Sequence, residues 1–264
     1  MQIAEEPFVR ANMAPRTLPV GKADKRNGVI TGCFFIAATV TAIIGLKLYD
    51  PALKTPDYLT QAATNFSQII LGAVFEMILV ASVFGTAIML YPYLKSYNIR
   101  LGLGYLCFRV LEAVVILMGI GSILSLLTLS HSYTTVANPD ETVYYAVGII
   151  AKAFHDWTFL LGPKFILGIN IFIYNYVFYK TGLVPKRLSL LGLTGACLVF
   201  IDALLDMFGV IDSFSLGDIM MVLPIALYEM ILAVWLIRKG FNIIIFLITT
   251  ELNSLSIKIS QLHI

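Results

Sequence analysis

Eight side chains in this sequence could do chemistry where such groups are costly to keep. Glu76, Arg109, Glu112, Lys164, Asp202, Asp206 and Glu229 fall inside apolar runs, and His155 stands at the edge of one. A charge at the centre of a bilayer costs about 2.5–3.5 kcal/mol on insertion scales, so seven of them require partners or a wet cavity. Arg109 and Glu112 are three apart and share a helix face, and Asp202 and Asp206 are four apart on another. An acidic set of this kind suits protons, cations or small polar molecules. Glu229, Glu112 and Asp202 would be the exchanging carboxylates, with Arg109 holding one of them ionised.

Each residue also has a plainer reading. Arg109 with Glu112 can be a buried ion pair that fixes helix register. Lys164 can snorkel its ammonium to the outer headgroups, and Asp206 can lie in the outer interface. Glu229 has no basic neighbour on its own helix before Arg238. A lone glutamate at mid-span is either protonated by desolvation or paired across helices, and Arg109 is the partner at matching depth.

His155 is the one histidine near the membrane core, because His131 falls in a loop and His263 in the tail. That count excludes a bis-histidine haem and a three-histidine zinc site. A mixed site of His155 with Glu112, Glu229 or Asp202 stays chemically allowed. Lys164 opposite Asp202 could imitate a retinal Schiff base and counter-ion, but six spans argue against it. No G-x-S-x-G elbow and no glycine-rich phosphate loop is present, and no cofactor is implied. Cys33, Cys107 and Cys197 are scattered through apolar runs and read as small packing residues rather than a disulfide or zinc set.

The elements that must position these groups are membrane spans. The chain has 264 residues, 59% hydrophobic and only 13% charged, with a net charge of +2. Its mean hydropathy is +0.87. A soluble domain carries about 25% charged residues, so water is not the solvent of this surface. The small net charge excludes nucleic acid as a partner, and the lipid bilayer is the partner that composition implies. Crossing a core of about 30 Å takes about 20 apolar residues, and six runs qualify. They are 28–49, 69–93, 101–129, a fourth that begins between 142 and 157 and ends at 179, 189–211, and 219–237. The fourth is expected as one long helix bent at Gly162-Pro163, where proline removes a backbone donor. Pro163 and Pro224 are both candidates for helix breaks.

Counting about 1.5 Å per residue from the inner face puts Arg109 and Glu229 near ~12 Å, Glu112 near ~17 Å, and Glu76 and Asp202 near ~20 Å. Lys164 and Asp206 follow near ~23 Å and ~26 Å. Basic residues give the orientation. One side collects Arg10, Arg16, Lys22, Lys25 and Arg26, then Lys95, Arg100, Lys180, Lys186, Arg187, Arg238, Lys239 and Lys258, while the other collects Lys47 and Lys54. Cytoplasmic loops gather Lys and Arg, so both termini are expected inside. The expected architecture is an all-α, six-span transmembrane bundle of the cytoplasmic membrane. It comprises a cytoplasmic segment 1–27, a membrane domain 28–240 and a tail 241–264 that is an interfacial helix or a frayed end. Tyr49, Tyr91, Tyr93, Tyr144, Tyr145, Tyr179 and Trp235 mark span ends and read as an interfacial belt.

The phrases FRVLEAVVI at 108–116, HDWTFLLGP at 155–163, GLVPKRLSLLGL at 182–193 and PIALYEMILAVWLIRKGF at 224–241 stand out in combination. Through them the chain resembles a family of bacterial integral membrane proteins catalogued as domain of unknown function 4386. The resemblance runs from about residue 27 to 241 and implies a multi-span helical protein, with no activity attached. Three functions stay open. The leading one is a transporter or binder of protons, cations or small polar molecules at the acidic intramembrane site. The second is an intramembrane enzyme using His155 and a carboxylate on a lipid, against which the missing nucleophile motifs lean. The third is a non-catalytic membrane subunit whose charges serve packing alone. A transporter needs a continuous polar path, an enzyme needs His155 beside two carboxylates in a cavity, and a scaffold shows every charge paired and dry.

Overall fold

The computed structural model describes residues 22–213, 215–243 and 246. Among these, every regular element is helical. The order is α1 (Lys22–Leu48), α2 (Asp50–Leu53), α3 (Tyr58–Thr64), α4 (Phe66–Tyr97), α5 (Ile99–Thr135) and α6 (Glu141–Phe159). A π-helical segment (Leu160–Ile166) then leads into α7 (Leu167–Thr181), followed by α8 (Lys186–Met207) and α9 (Leu216–Lys239). Six helices are long and apolar enough to cross a membrane, the fourth being the continuous run Glu141–Thr181. The protein is therefore a six-span α-helical membrane protein.

The spans close into a ring. α1 packs on α4, α4 on α5, α5 on α6, α7 on α8, α8 on α9, and α9 returns to α1. Lipid tails are as apolar as leucine, so such contacts depend on close packing by small residues rather than on hydrophobic burial. Gly28 and Gly32, four apart on α1, supply the α1–α9 seam. A Cβ at Gly28 would come within 2.7 Å of the Gly240 backbone, and one at Gly32 within 2.6 Å of the Ala233 carbonyl oxygen. The seam also brings Lys25 beside Gly240, so the two ends of the described bundle lie on one face.

Hydrogen bonds must be completed inside the chain where water is absent. Thr31, Thr41, Ser82 and Thr181 accordingly donate to carbonyls four residues back, at 2.7–2.8 Å. Asn98 caps α5 by accepting from the amides of Arg100 and Leu101. Gly182 ends α7 at φ +67°, a left-handed backbone that glycine adopts without strain, and Pro185 then starts α8.

Where the fourth span is expected to bend, it carries a π-helical segment over Leu160–Ile166, with Pro163 inside it. Proline cannot donate to the preceding turn, and the widened register absorbs that loss. Pro224, by contrast, lies within an unbroken α9, so only one of the two expected breaks exists. The fifth span ends at Met207 rather than 211, because Gly209 turns the chain at φ +67°. Two further corrections concern exposure. The three cysteines are exposed on the outside of the bundle and do not fill the core. Tyr49 and Tyr93, expected in the interfacial belt, are fully or nearly fully buried. Beyond α9, Phe241 and Phe246 pack on the Tyr93 ring. The remainder of the expected tail helix and the segment before Lys22 lie outside the described residues.

A polar cavity inside the helix ring

The half of the ring nearest the chain ends is filled. Tyr105, Tyr174, Tyr228 and Phe178 are fully buried there, with Phe35 against the Tyr174 ring. The other half is hollow. A partly open cavity of about 280 Å³ is lined by α1, α4, α5, α6, the π-segment, α7 and α9. α1 and α6 face it without packing closely on one another, and Ile43, 65% exposed, marks its rim towards lipid. Its walls are mostly apolar, with Ala42, Leu79, Val83 and Ile116 among them. Five of the candidate residues reach it: Glu76, Arg109, Glu112, His155 and Glu229.

Arg109 and Glu112 stand one helical turn apart on α5, and both are almost completely buried. The Arg109 Nη1 donates to both carboxylate oxygens of Glu112 at 3.1 Å, and its Nε donates to the Tyr105 hydroxyl at 3.4 Å. Asn170 on α7 donates its amide to the same carboxylate at 2.6 Å. The pair is therefore neutral overall and held from two helices, which is the geometry a buried ion pair needs.

Glu229 and Glu76 are placed differently. Glu229 is half-buried, lines the cavity and stands beside the Thr39 hydroxyl of α1. Arg109 is committed to Glu112, and the expected cross-helix Arg109–Glu229 ion pair does not form. Glu76 accepts a hydrogen bond from Tyr49 at 3.3 Å and lies near His155. Among the described residues, no cationic side chain comes within ion-pair distance of either carboxylate.

His155 is 4% exposed, with its ring edge-on to Tyr49 and its Nδ1 3.4 Å from Asp156. The Asp156 side chain itself is 71% exposed, so the neighbours diverge as adjacent helical residues must. Only one carboxylate, Glu76, therefore shares the cavity wall with His155 at its outer end. Among the described residues, no three His, Cys, Asp or Glu side chains converge as metal ligands would, and the mixed histidine–carboxylate site is not assembled.

Lys164 and Asp202 do not reach the cavity. Lys164, placed by the π-bulge, turns towards α8 and is 4% exposed instead of snorkelling outwards. Its Nζ is 3.2 Å from Asp202 and 2.8 Å from Asp206, and it also pairs with Asp218. Asp206, expected at the interface, is a member of this cluster and accepts from Ser213. Asp218 reaches it from the first turn of α9, where Ser215 caps the helix by accepting from the Asp218 amide at 3.3 Å.

Reading the sequence for charges deep inside spans missed three participants. Asp218 sits too near a span end to attract notice. Asn170 carries no charge, yet an amide in mid-span is itself a signal of a buried partner. Tyr49 has the form of a belt residue and becomes a hydrogen-bond donor only because α1 and α4 cross tightly there, with Gly72 against its ring.

The family described as Domain of unknown function (DUF4386) matches residues 30–240, which takes in all six spans and both polar clusters. No curated protein and no solved structure matches the chain.

Proposed function

This chain belongs to the family of domain of unknown function 4386, and from that premise, which carries no activity, we propose that it binds and transports a small cationic molecule through its intramembrane cavity. One observation carries the reading. Glu229 lies in a cavity within the ring, without an ion-pair partner, beside an Arg109–Glu112 pair that is already neutral. A carboxylate in that position favours a positive guest, since a buried charge is costly until it is paired. The aromatic layer of Tyr105, Tyr174 and Tyr228 blocks the cavity towards the chain ends, so transport requires that layer to part. The π-bulge at Pro163, on the cavity wall, is the element best suited to move. The asymmetry of basic residues supports placing the chain ends in the cytoplasm, and the family resemblance supports a bacterial cytoplasmic membrane.

The scaffold reading fits less well because Glu229 has no ion-pair partner among the described residues, and the lipid-enzyme reading because the cavity is small for a lipid and, among the described residues, His155 meets only the Glu76 carboxylate at its end of the cavity. The test is a flux assay in liposomes together with thermal unfolding, using a panel of organic amines. The wild-type protein should be stabilised by at least one amine and should carry it across the bilayer. Glu229→Gln should abolish both effects and leave the unliganded unfolding temperature nearly unchanged. An amine response that survives Glu229→Gln would overturn the assignment.

A further inference from the structure

The two carboxylates without an ion-pair partner stand at different levels of the same cavity, and α1 serves as a ruler between them. Glu229 stands beside Thr39. Glu76 packs over Gly45, where an added Cβ would come within 2.8 Å of its Cγ. Six residues of helix separate those contacts, a rise of about 9 Å along the bundle axis. Between them Ala42 on α1, Leu79 and Val83 on α4 and Ile116 on α5 line the wall, beside the mutually paired Arg109 and Glu112. The cavity thus has apolar side chains and a self-paired Arg109–Glu112 between two carboxylates that lack ion-pair partners among the described residues.

We propose that its occupant is an unbranched diamine, with one ammonium paired to Glu229 at the deep end and the other to Glu76 at the outer end. The proposal rests on the cavity being a cation-binding site and adds the spacing and number of charges. A volume of about 280 Å³ is at the small end of ligand pockets, large enough for a short aliphatic chain and too small for a phospholipid. With each ammonium within hydrogen-bond reach of its carboxylate, the ~9 Å between the two levels suits a chain of about three to five methylene groups between the nitrogens. A single-headed amine leaves one carboxylate buried and unpaired, whereas a diamine offsets both desolvation costs together. His155 lies near Glu76 and the Arg109 guanidinium near Glu229. Arg109 is held by Glu112. Neither His155 nor Arg109 comes within ion-pair distance of Glu76 or Glu229, so neither takes the place of a guest ammonium.

The test uses the full chain in nanodiscs of uncharged lipid and titration calorimetry with three probes: a five-carbon diamine, the five-carbon monoamine and a two-carbon diamine. The long diamine should bind at least about tenfold more tightly than either of the others, because only it reaches both ends. Glu76→Gln should bring the long diamine down to the affinity of the monoamine. Should that variant fail to fold, the comparison of the three probes on the wild-type chain decides alone. Equal affinity for the long diamine and the monoamine would overturn the two-ended site and leave the cation site standing. Failure of the folded wild-type protein to bind any of the three would overturn both.

Discussion

Replacing Arg109 with methionine keeps most of the side-chain bulk and removes one specific set of bonds. Glu112 loses the two bonds it accepts from Nη1 at 3.1 Å and retains only the one from Asn170 at 2.6 Å. Breaking a buried ion pair by deleting one partner costs about 3–5 kcal/mol. Uptake of a proton by Glu112 would hold the loss towards the lower figure. For a chain of this size 1 kcal/mol corresponds to roughly 2–4 °C, so the unfolding temperature should fall by roughly 6–20 °C. Replacing both partners, Arg109→Met with Glu112→Leu, should recover most of that loss, because an apolar pair of similar volume is often as stable as the ion pair. Recovery stays incomplete, since the Asn170 amide is then left without its acceptor, a deficit of about 1–3 kcal/mol. Adding Asn170→Leu should remove the deficit. Thermal unfolding of the detergent-purified variants measures all of this. Additive losses, with the double variant as unstable as the two single variants summed, would refute the pair as the source of the stability.

Lys164→Met should be at least as damaging, by about 3–5 kcal/mol, because it leaves Asp202, Asp206 and Asp218 facing one another; thermal unfolding against a Lys164→Arg control measures it. Gly32→Val should cost about 1–3 kcal/mol, since the new Cβ meets the Ala233 carbonyl oxygen at 2.6 Å and backbone yields little; Gly104→Ala, with nothing within 4 Å, should be tolerated. Reporter fusions after Ser130 and Asp212 should read as external and those after Tyr97 and Pro185 as internal, and reversal at any two would overturn the orientation.

The spans were legible because each is a long apolar run, and the irregular stretch of the fourth because Pro163 removes a backbone donor there. Depth was legible as well, since rise per residue is nearly constant in a helix, and it brought Arg109, Glu112 and Glu229 to neighbouring levels. Azimuth was not. Rotation about the helix axis decides whether a mid-span charge faces the cavity or a neighbouring helix, and it depends on packing between helices distant in sequence. Lys164 shows the consequence most plainly: the π-bulge shifts the register just where it stands, and it turns away from the cavity towards α8. Tyr49 shows the same for exposure, because a tyrosine at a span end is belt or core depending on what crosses over it. Here α4 does, through Gly72.

The two polar clusters differ in a way that assigns them separate work. Around Lys164, one cation meets three carboxylates from two other spans, so the cluster ties the π-segment to α8 and α9 on the side away from the chain ends. It is nearly closed to its surroundings, with side chains 0–13% exposed. A cluster so enclosed ties helices together and holds the hollow half of the ring in one arrangement. The cavity shares the same wall at Pro163 and has the opposite character. Its internal ion pair is satisfied, and two carboxylates on α4 and α9 remain without ion-pair partners, either side of apolar side chains. A carboxylate without an ion-pair partner lowers stability within the bilayer, whether it stays charged or takes up a proton. The position of these two glutamates beside a space large enough for a guest is why the proposed function is placed in the cavity rather than in the lysine cluster.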